Sequence, residues 1–156
     1  MLSASMQTLG IIFRFPRKLF ENRGKEVLKM PERIVIALGG NALQSKDSAP
    51  TAEAQLEVVR QTAEQIAEIS RRGYEMAIVH GNGPQVGRIL LAGETARDVV
   101  PPMPFDVCGA MSQGYIGYHI QQALKYALNI RNRNYPVVSL TTSVSYTHLR
   151  AHETKA

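Results

Sequence analysis

Arg33-Ile-Val-Ile-Ala-Leu-Gly-Gly-Asn41 decides the fold. A short run dominated by β-branched and aliphatic side chains, stopped by two glycines, predicts a strand over residues 33–38. Because apolar residues occupy both of its faces, the strand is expected to be buried on both sides and central in its sheet. Downstream, Thr51 offers a helix N-cap with Glu53 in the first turn. Leu56, Val59, Ala63, Ile66 and Ile69 then recur near helical spacing until Gly73 supplies a stop. Tyr74-Glu-Met-Ala-Ile-Val-His80 is a second apolar strand. Strand, helix, strand implies a crossover connection and parallel pairing.

Gly81-Asn-Gly-Pro-Gln-Val-Gly87 follows, and its Pro84 suits the first turn of a helix, where a missing N–H costs nothing. This helix is expected to reach about Arg97. Pro101, Pro102 and Pro104 break the chain, and roughly Val107 to Asn129 reads as a third helix carrying Gly109, Gly114 and Gly117. Each of those glycines costs the helix about 1 kcal/mol relative to alanine, which points to close approach of another backbone. Pro136-Val-Val-Ser-Leu140 begins a third strand.

In an open α/β sheet, ligands bind beyond the carboxyl ends of the strands. Gly39-Gly40-Asn41 and Gly81-Asn82-Gly83 occupy that position after the first and second strands. Glycine lets an anionic ligand approach the main chain, amides ahead of a helix donate to phosphate oxygens, and Asn41 and Asn82 add neutral donors. Either turn alone serves equally well to reverse the chain. Together, at neighbouring strand ends, they can hold a phosphoryl group between them. No G-x-x-x-x-G-K-[ST] occurs, and Gly87 falls one place late for a dinucleotide fingerprint.

Three blocks make a resemblance specific: Ala37-Leu-Gly-Gly-Asn-Ala-Leu43, His80-Gly-Asn-Gly-Pro-Gln-Val-Gly87 and Cys108-Gly-Ala-Met-Ser-Gln-Gly-Tyr-Ile-Gly-Tyr118. In this order they resemble the carbamate kinase branch of the amino acid kinase family, whose other branches share the architecture. The resemblance implies an α/β fold, a three-layer αβα sandwich with a largely parallel sheet, here truncated. It also implies a cytoplasmic homodimer and reversible phosphoryl transfer between ATP and carbamate, with Mg2+ accompanying the nucleotide. In arginine fermentation that reaction runs from carbamoyl phosphate and ADP toward ATP. Carried over by position, Gly39, Gly40, Asn41, Gly81, Asn82 and Gly83 surround the carbamoyl phosphate or the nucleotide's terminal phosphate, with Gln85 nearby. The family's catalytic lysines and aspartate belong to later segments that this sequence does not match. No catalytic residue and no metal ligand is therefore assigned, and the chain as written is expected to be inactive alone. The alternatives are a non-catalytic anion-binding or dimerisation module of the same fold, or another member of the family.

Several single residues invite stronger readings than they support. His80, ending a buried strand, is expected to be a hydrogen-bonded structural histidine rather than a general base. Cys108 is expected to be a buried small residue, and Met103, Met111 and Tyr115 to be packing residues. Lys46 and Lys125 match no family motif and read as solvated surface lysines.

The net charge of +5 over 156 residues suggests a nucleic-acid or membrane partner until its location is considered. Ten basic and ten acidic residues fall between 30 and 142, so the body is neutral and the excess lies at the ends. No nucleic-acid or membrane partner is expected, and the longest apolar runs are too short to span a bilayer. The single cysteine leaves no intramolecular disulfide. Residues 1–29 are basic with an apolar run at Leu9–Phe13, as in a presequence. However, Lys25-Glu26-Val27 can be encoded AAG-GAG-GTN, a bacterial ribosome-binding sequence well placed ahead of Met30. The preferred expectation is translation from upstream of the native start, with residues 1–29 outside the fold; a presequence and a genuine N-terminal arm are the alternatives. Residues 30–142 form the body, and residues 143–156 a non-native tail. In that tail His148 and His152, beside Glu153, have the spacing of two metal ligands on one helix face but no third ligand in support.

Overall fold

A computed structural model describes the backbone of residues 9–13 and, in full, residues 32–45, 49 and 51–142. Lys46, His148, His152 and Glu153 lie outside the described residues, as does the 143–156 segment. The elements in chain order are β1 (Leu9–Phe13), β2 (Arg33–Leu38), α1 (Gly40–Leu43), α2 (Ala52–Ser70), β3 (Glu75–His80), α3 (Gly83–Thr95), α4 (Phe105–Asn129) and β4 (Val137–Leu140).

Local chemistry sets most of these boundaries. Thr51 caps α2, its hydroxyl accepting from the Ala54 N–H at 3.2 Å. Gly73 takes a φ of +86° just past the helix end, a conformation other residues adopt only with strain. Asn132 does the same after α4, with a φ of 54°. Pro84 sits in the first turn of α3, where it sacrifices no intrahelical bond.

The sheet runs in the order β2-β3-β1-β4. β2 and β3 are parallel with Leu38 opposite His80, and β1 is antiparallel to both β3 and β4. Thus β2, β3 and β4 point the same way. From sequence, residues 1–29 are expected outside the fold; the structure instead pairs Leu9–Phe13 with β3 on one side and β4 on the other. The physical reason is that unpaired strand edges demand partners, and a short β-branched run supplies a row of N–H and C=O groups. β2 also departs from expectation. Among the described residues it lies at an edge, and its burial alternates, with Val35 70% exposed. Its doubly apolar composition signals two covered faces, whereas among the described residues only one is covered.

That covered face carries the core. Met76 and Ile78 of β3 and Leu38 of β2 lie on it and share one buried cluster with residues of α2 and α4. α2 contributes Val59, Ala63, Ile66 and Ala67 at helical spacing, and α4 contributes Ile116, Ile120, Ala123, Leu124, Ala127 and Leu128. Each large aliphatic chain so buried contributes roughly 1.5–3 kcal/mol. Arg131 near the end of α4 pairs with Glu64 of α2, adding a polar tie between the two helices. The fold is α/β, with helices on one face of a mixed sheet among the described residues. No helix among the described residues is long and apolar enough to cross a membrane.

Candidate functional site

The pairing of Leu38 with His80 brings the two glycine turns together, because Gly39 and Gly81 leave adjacent parallel strands at the same level. Gly39, Gly40, Asn41 and Gly83 are exposed at this strand end, and Gly81 is half-buried. The first turn closes into α1 through the Ala42 N–H to Gly39 O (3.0 Å) and the Gln44 N–H to Gly40 O (2.9 Å). The second leads into α3, with the Gln85 N–H donating to Asn82 O at 3.0 Å.

Neither helix that follows a glycine turn has a side-chain cap, although α2 does. Asn82 occupies the N-cap position of α3 and is 5% exposed, but its amide nitrogen donates to Ser112 Oγ at 2.6 Å. Ser112 in turn donates to Gly109 O at 2.7 Å. The Asn82 amide therefore anchors the turn to α4, where the sequence suggests a donor to phosphate. In the first turn of α3 Pro84 has no N–H and the Gln85 and Val86 N–H groups donate to Asn82 O, which leaves the Gly83 N–H as the amide at this helix start that an anion can use.

The glycines themselves are informative. A Cβ built on Gly39, Gly40 or Gly83 meets nothing within 4 Å, and none of the three has a positive φ. Neither backbone strain nor packing among the described residues calls for glycine there. What the missing side chains leave is open space against the main chain, which suits a ligand that must touch the amides closely.

Gln85, 2% exposed, lines a small cavity of about 10 Å³ with Leu43, Gln55, Tyr115 and His119. Its Oε1 has no hydrogen-bond partner. His80 is 3% exposed, and its Nδ1–H donates to Gly81 O at 2.9 Å. Burial holds its pKa below the ordinary 6.5, against the raising effect of the Gly81 carbonyl. A neutral ring with Nδ1 protonated fits the structural role expected from sequence; its Nε2 is buried without a partner. Burial likewise raises the Tyr115 hydroxyl pKa, opposed by a hydrogen bond from Gln55 and the charge of Arg88.

Cys108 is buried, with Sγ 3.4 Å from Met103 O, and Tyr115 packs against the core. Met103 and Met111 do not pack as expected: they are 53% and 47% exposed. Their segments face outward at the proline break and on the outer side of α4. Lys125 is also not a freely solvated lysine, since its Nζ donates to Asn134 Oδ1 and, at 3.2 Å, to Tyr135 O. Gly114 has no neighbour where its Cβ would stand, so close backbone approach is not realised there among the described residues. Arg88, not singled out from sequence, reaches from α3 to the side chain of Gln44 at the end of α1. Its position one turn after Pro84 is the signal that a helical side chain would lean back toward the turn.

Comparison with known proteins adds a family. The Amino acid kinase family profile matches residues 32–145. The chain is similar to the carbamate kinase of Pyrococcus horikoshii, at 56% identity over 115 residues, covering 72% of this chain and 37% of that protein. It is similar to the carbamate kinase of Clostridium perfringens at 50% identity over 115 residues, covering 72% and 37%. Among solved structures, carbamate kinase from Giardia lamblia bound to AMP-PNP superposes with a TM-score of 0.64 at 42% identity, covering 66% of this chain and 36% of that one. The chain thus spans little more than a third of the length of the curated relatives it matches.

Proposed function

The chain belongs to the amino acid kinase family, and on that premise we propose that it supplies the phosphate-handling part of a carbamate kinase. The reaction is ATP + carbamate ⇌ ADP + carbamoyl phosphate. Gly39, Gly40 and Asn41 line one side of the transferring phosphoryl group, and Gly81, Asn82 and Gly83 the other. Gln85 sits behind the second turn. Identity of 50–56% to carbamate kinases from two organisms supports the substrate class.

The observation that carries this reading is the pair of glycine turns at adjacent strand ends, with Cβ positions open at Gly39, Gly40 and Gly83 and both following helices uncapped. Phosphoryl transfer is catalysed mainly by positioning and by stabilising charge on the equatorial oxygens, which preorganised amides do without a nucleophile. Mg2+ carried with the nucleotide would neutralise part of that charge. The protein's own amides fix where the group sits.

A homodimer in the cytoplasm is part of the proposal. Val107, Met111, Tyr118 and Tyr126 form an exposed stripe along α4, the kind of apolar surface that a second subunit covers. The non-catalytic alternative shares this surface and differs only in chemistry. Titration with carbamoyl phosphate, followed by 31P NMR, tests the reading: saturable binding that Gly83→Ala abolishes is expected. Absence of binding by the folded chain would overturn it.

A further inference from the structure

We propose that Arg88 is a positioning residue that holds the two glycine turns at a fixed separation; the proposal rests on the phosphoryl-transfer reading above. Arg88 stands one helical turn beyond Pro84, so its side chain leans toward the N-terminus of α3. Its Nε lies 3.5 Å from Pro84 O, a long contact beside Gly83, and its Nη2 donates to Oε1 of Gln44. Gln44 is the C-cap of α1, and its own N–H donates to Gly40 O at 2.9 Å. A continuous path therefore joins the second turn, through the guanidinium and Gln44, to the first.

The same Gln44 oxygen also accepts from Gln55 Nε2 of α2, at 3.2 Å. The Thr62 hydroxyl, also on α2, donates to Ala42 O at 3.0 Å. A helix of four residues has almost no stability of its own, so these outside contacts determine where α1 sits. α2 fixes it relative to the core, and Arg88 fixes it relative to α3. Arginine suits this task because its planar fork offers several donors to acceptors on different elements, whereas a lysine ammonium is one compact point. Transfer between two turns is sensitive to their spacing, since a displacement of about 1 Å at a reacting centre can cost on the order of a hundredfold in rate.

The test uses the full chain and carbamoyl phosphate as the probe, with affinity from 31P NMR and folding from thermal unfolding. Arg88→Lys, which keeps the charge, and Gln44→Ala, which keeps the arginine, are each expected to weaken binding about tenfold. The double variant should be no weaker than Gln44→Ala alone, because that change already removes the acceptor of Arg88. Parent-like affinity in Arg88→Lys, or additive losses in the double variant, would overturn the proposal while leaving the phosphate site standing. If Gln44→Ala fails to fold, Arg88→Lys alone still decides. No saturable binding by the folded parent would remove the phosphoryl reading and this inference with it.

Discussion

Asn82 and Ser112, thirty positions apart, share a buried 2.6 Å hydrogen bond that fastens the second glycine turn to α4. Because the Ser112 hydroxyl in turn donates to Gly109 O, the turn, the hydroxyl and the helix backbone form one chain of hydrogen bonds. Ser112→Ala leaves the Asn82 amide without this acceptor in a fully buried position and is expected to cost about 1–3 kcal/mol of stability. The same change should loosen the turn and weaken phosphate binding. Thermal unfolding with a parallel phosphate titration reads both; an unchanged melting temperature would mean that the bond contributes nothing. Asn82→Ala is expected to lower stability as well as binding, so it cannot separate the two.

The exposed glycines should show the opposite split from a helix cap. Gly40→Ala and Gly83→Ala meet no clash and no forbidden φ, so stability is expected to hold or rise by roughly 0.4–1 kcal/mol. Phosphate binding should fall. Thr51→Ala removes the cap of α2 and should cost about 1 kcal/mol with phosphate affinity intact. Denaturant unfolding and phosphate titration of all three variants check the split, and a glycine variant that binds like the parent would count against the ligand role.

Stability should decline as pH falls from about 7 to 5. His80 titrates near 6.5 when unfolded, and burial depresses its pKa in the folded chain. Below 6.5 the unfolded state therefore takes up a proton that the folded state resists, and the folded state loses ground until its own lower pKa is reached. His119 is lowered too, by burial opposed by Glu53, and acts in the same direction. His80→Asn keeps a donor for Gly81 O while removing the titration, so melting temperature against pH should flatten over this window. An unaltered slope would assign the effect to other groups.

Self-association should depend on the outer stripe of α4. Tyr118, 58% exposed near the middle of that stripe, is expected to be covered in a dimer. Tyr118→Glu would place a charge in that contact and should shift sedimentation from dimer to monomer without lowering the melting temperature. A parent that sediments as a monomer would contradict the dimer proposal.

What was legible in the sequence was what local chemistry dictates. Thr51 and Gly73 mark the limits of α2, Pro84 the start of α3, and the apolar runs β2 and β3, each within a residue or two of the observed bounds. The two turns were recognisable as a pair because β2-α2-β3 order implies parallel neighbours. Position in the sheet was not legible. Val35 and Ala37 have the composition of a doubly covered strand, yet among the described residues β2 is an edge with one face open, and Leu9–Phe13 takes a place between β3 and β4. Side-chain ties between distant elements escaped as well. Asn82 with Ser112 and Arg88 with Gln44 depend on how helices pack, which no local pattern encodes.

The most direct measurement replaces the matching segment of the Pyrococcus horikoshii carbamate kinase with residues 32–142 and assays ATP formation from ADP and carbamoyl phosphate. The expected result is an active chimera whose rate falls on the order of a hundredfold with Gly40→Ala and Gly83→Ala together, at an unchanged melting temperature. A folded chimera without activity, or one indifferent to both alanines, would contradict the assignment of phosphate handling to these turns.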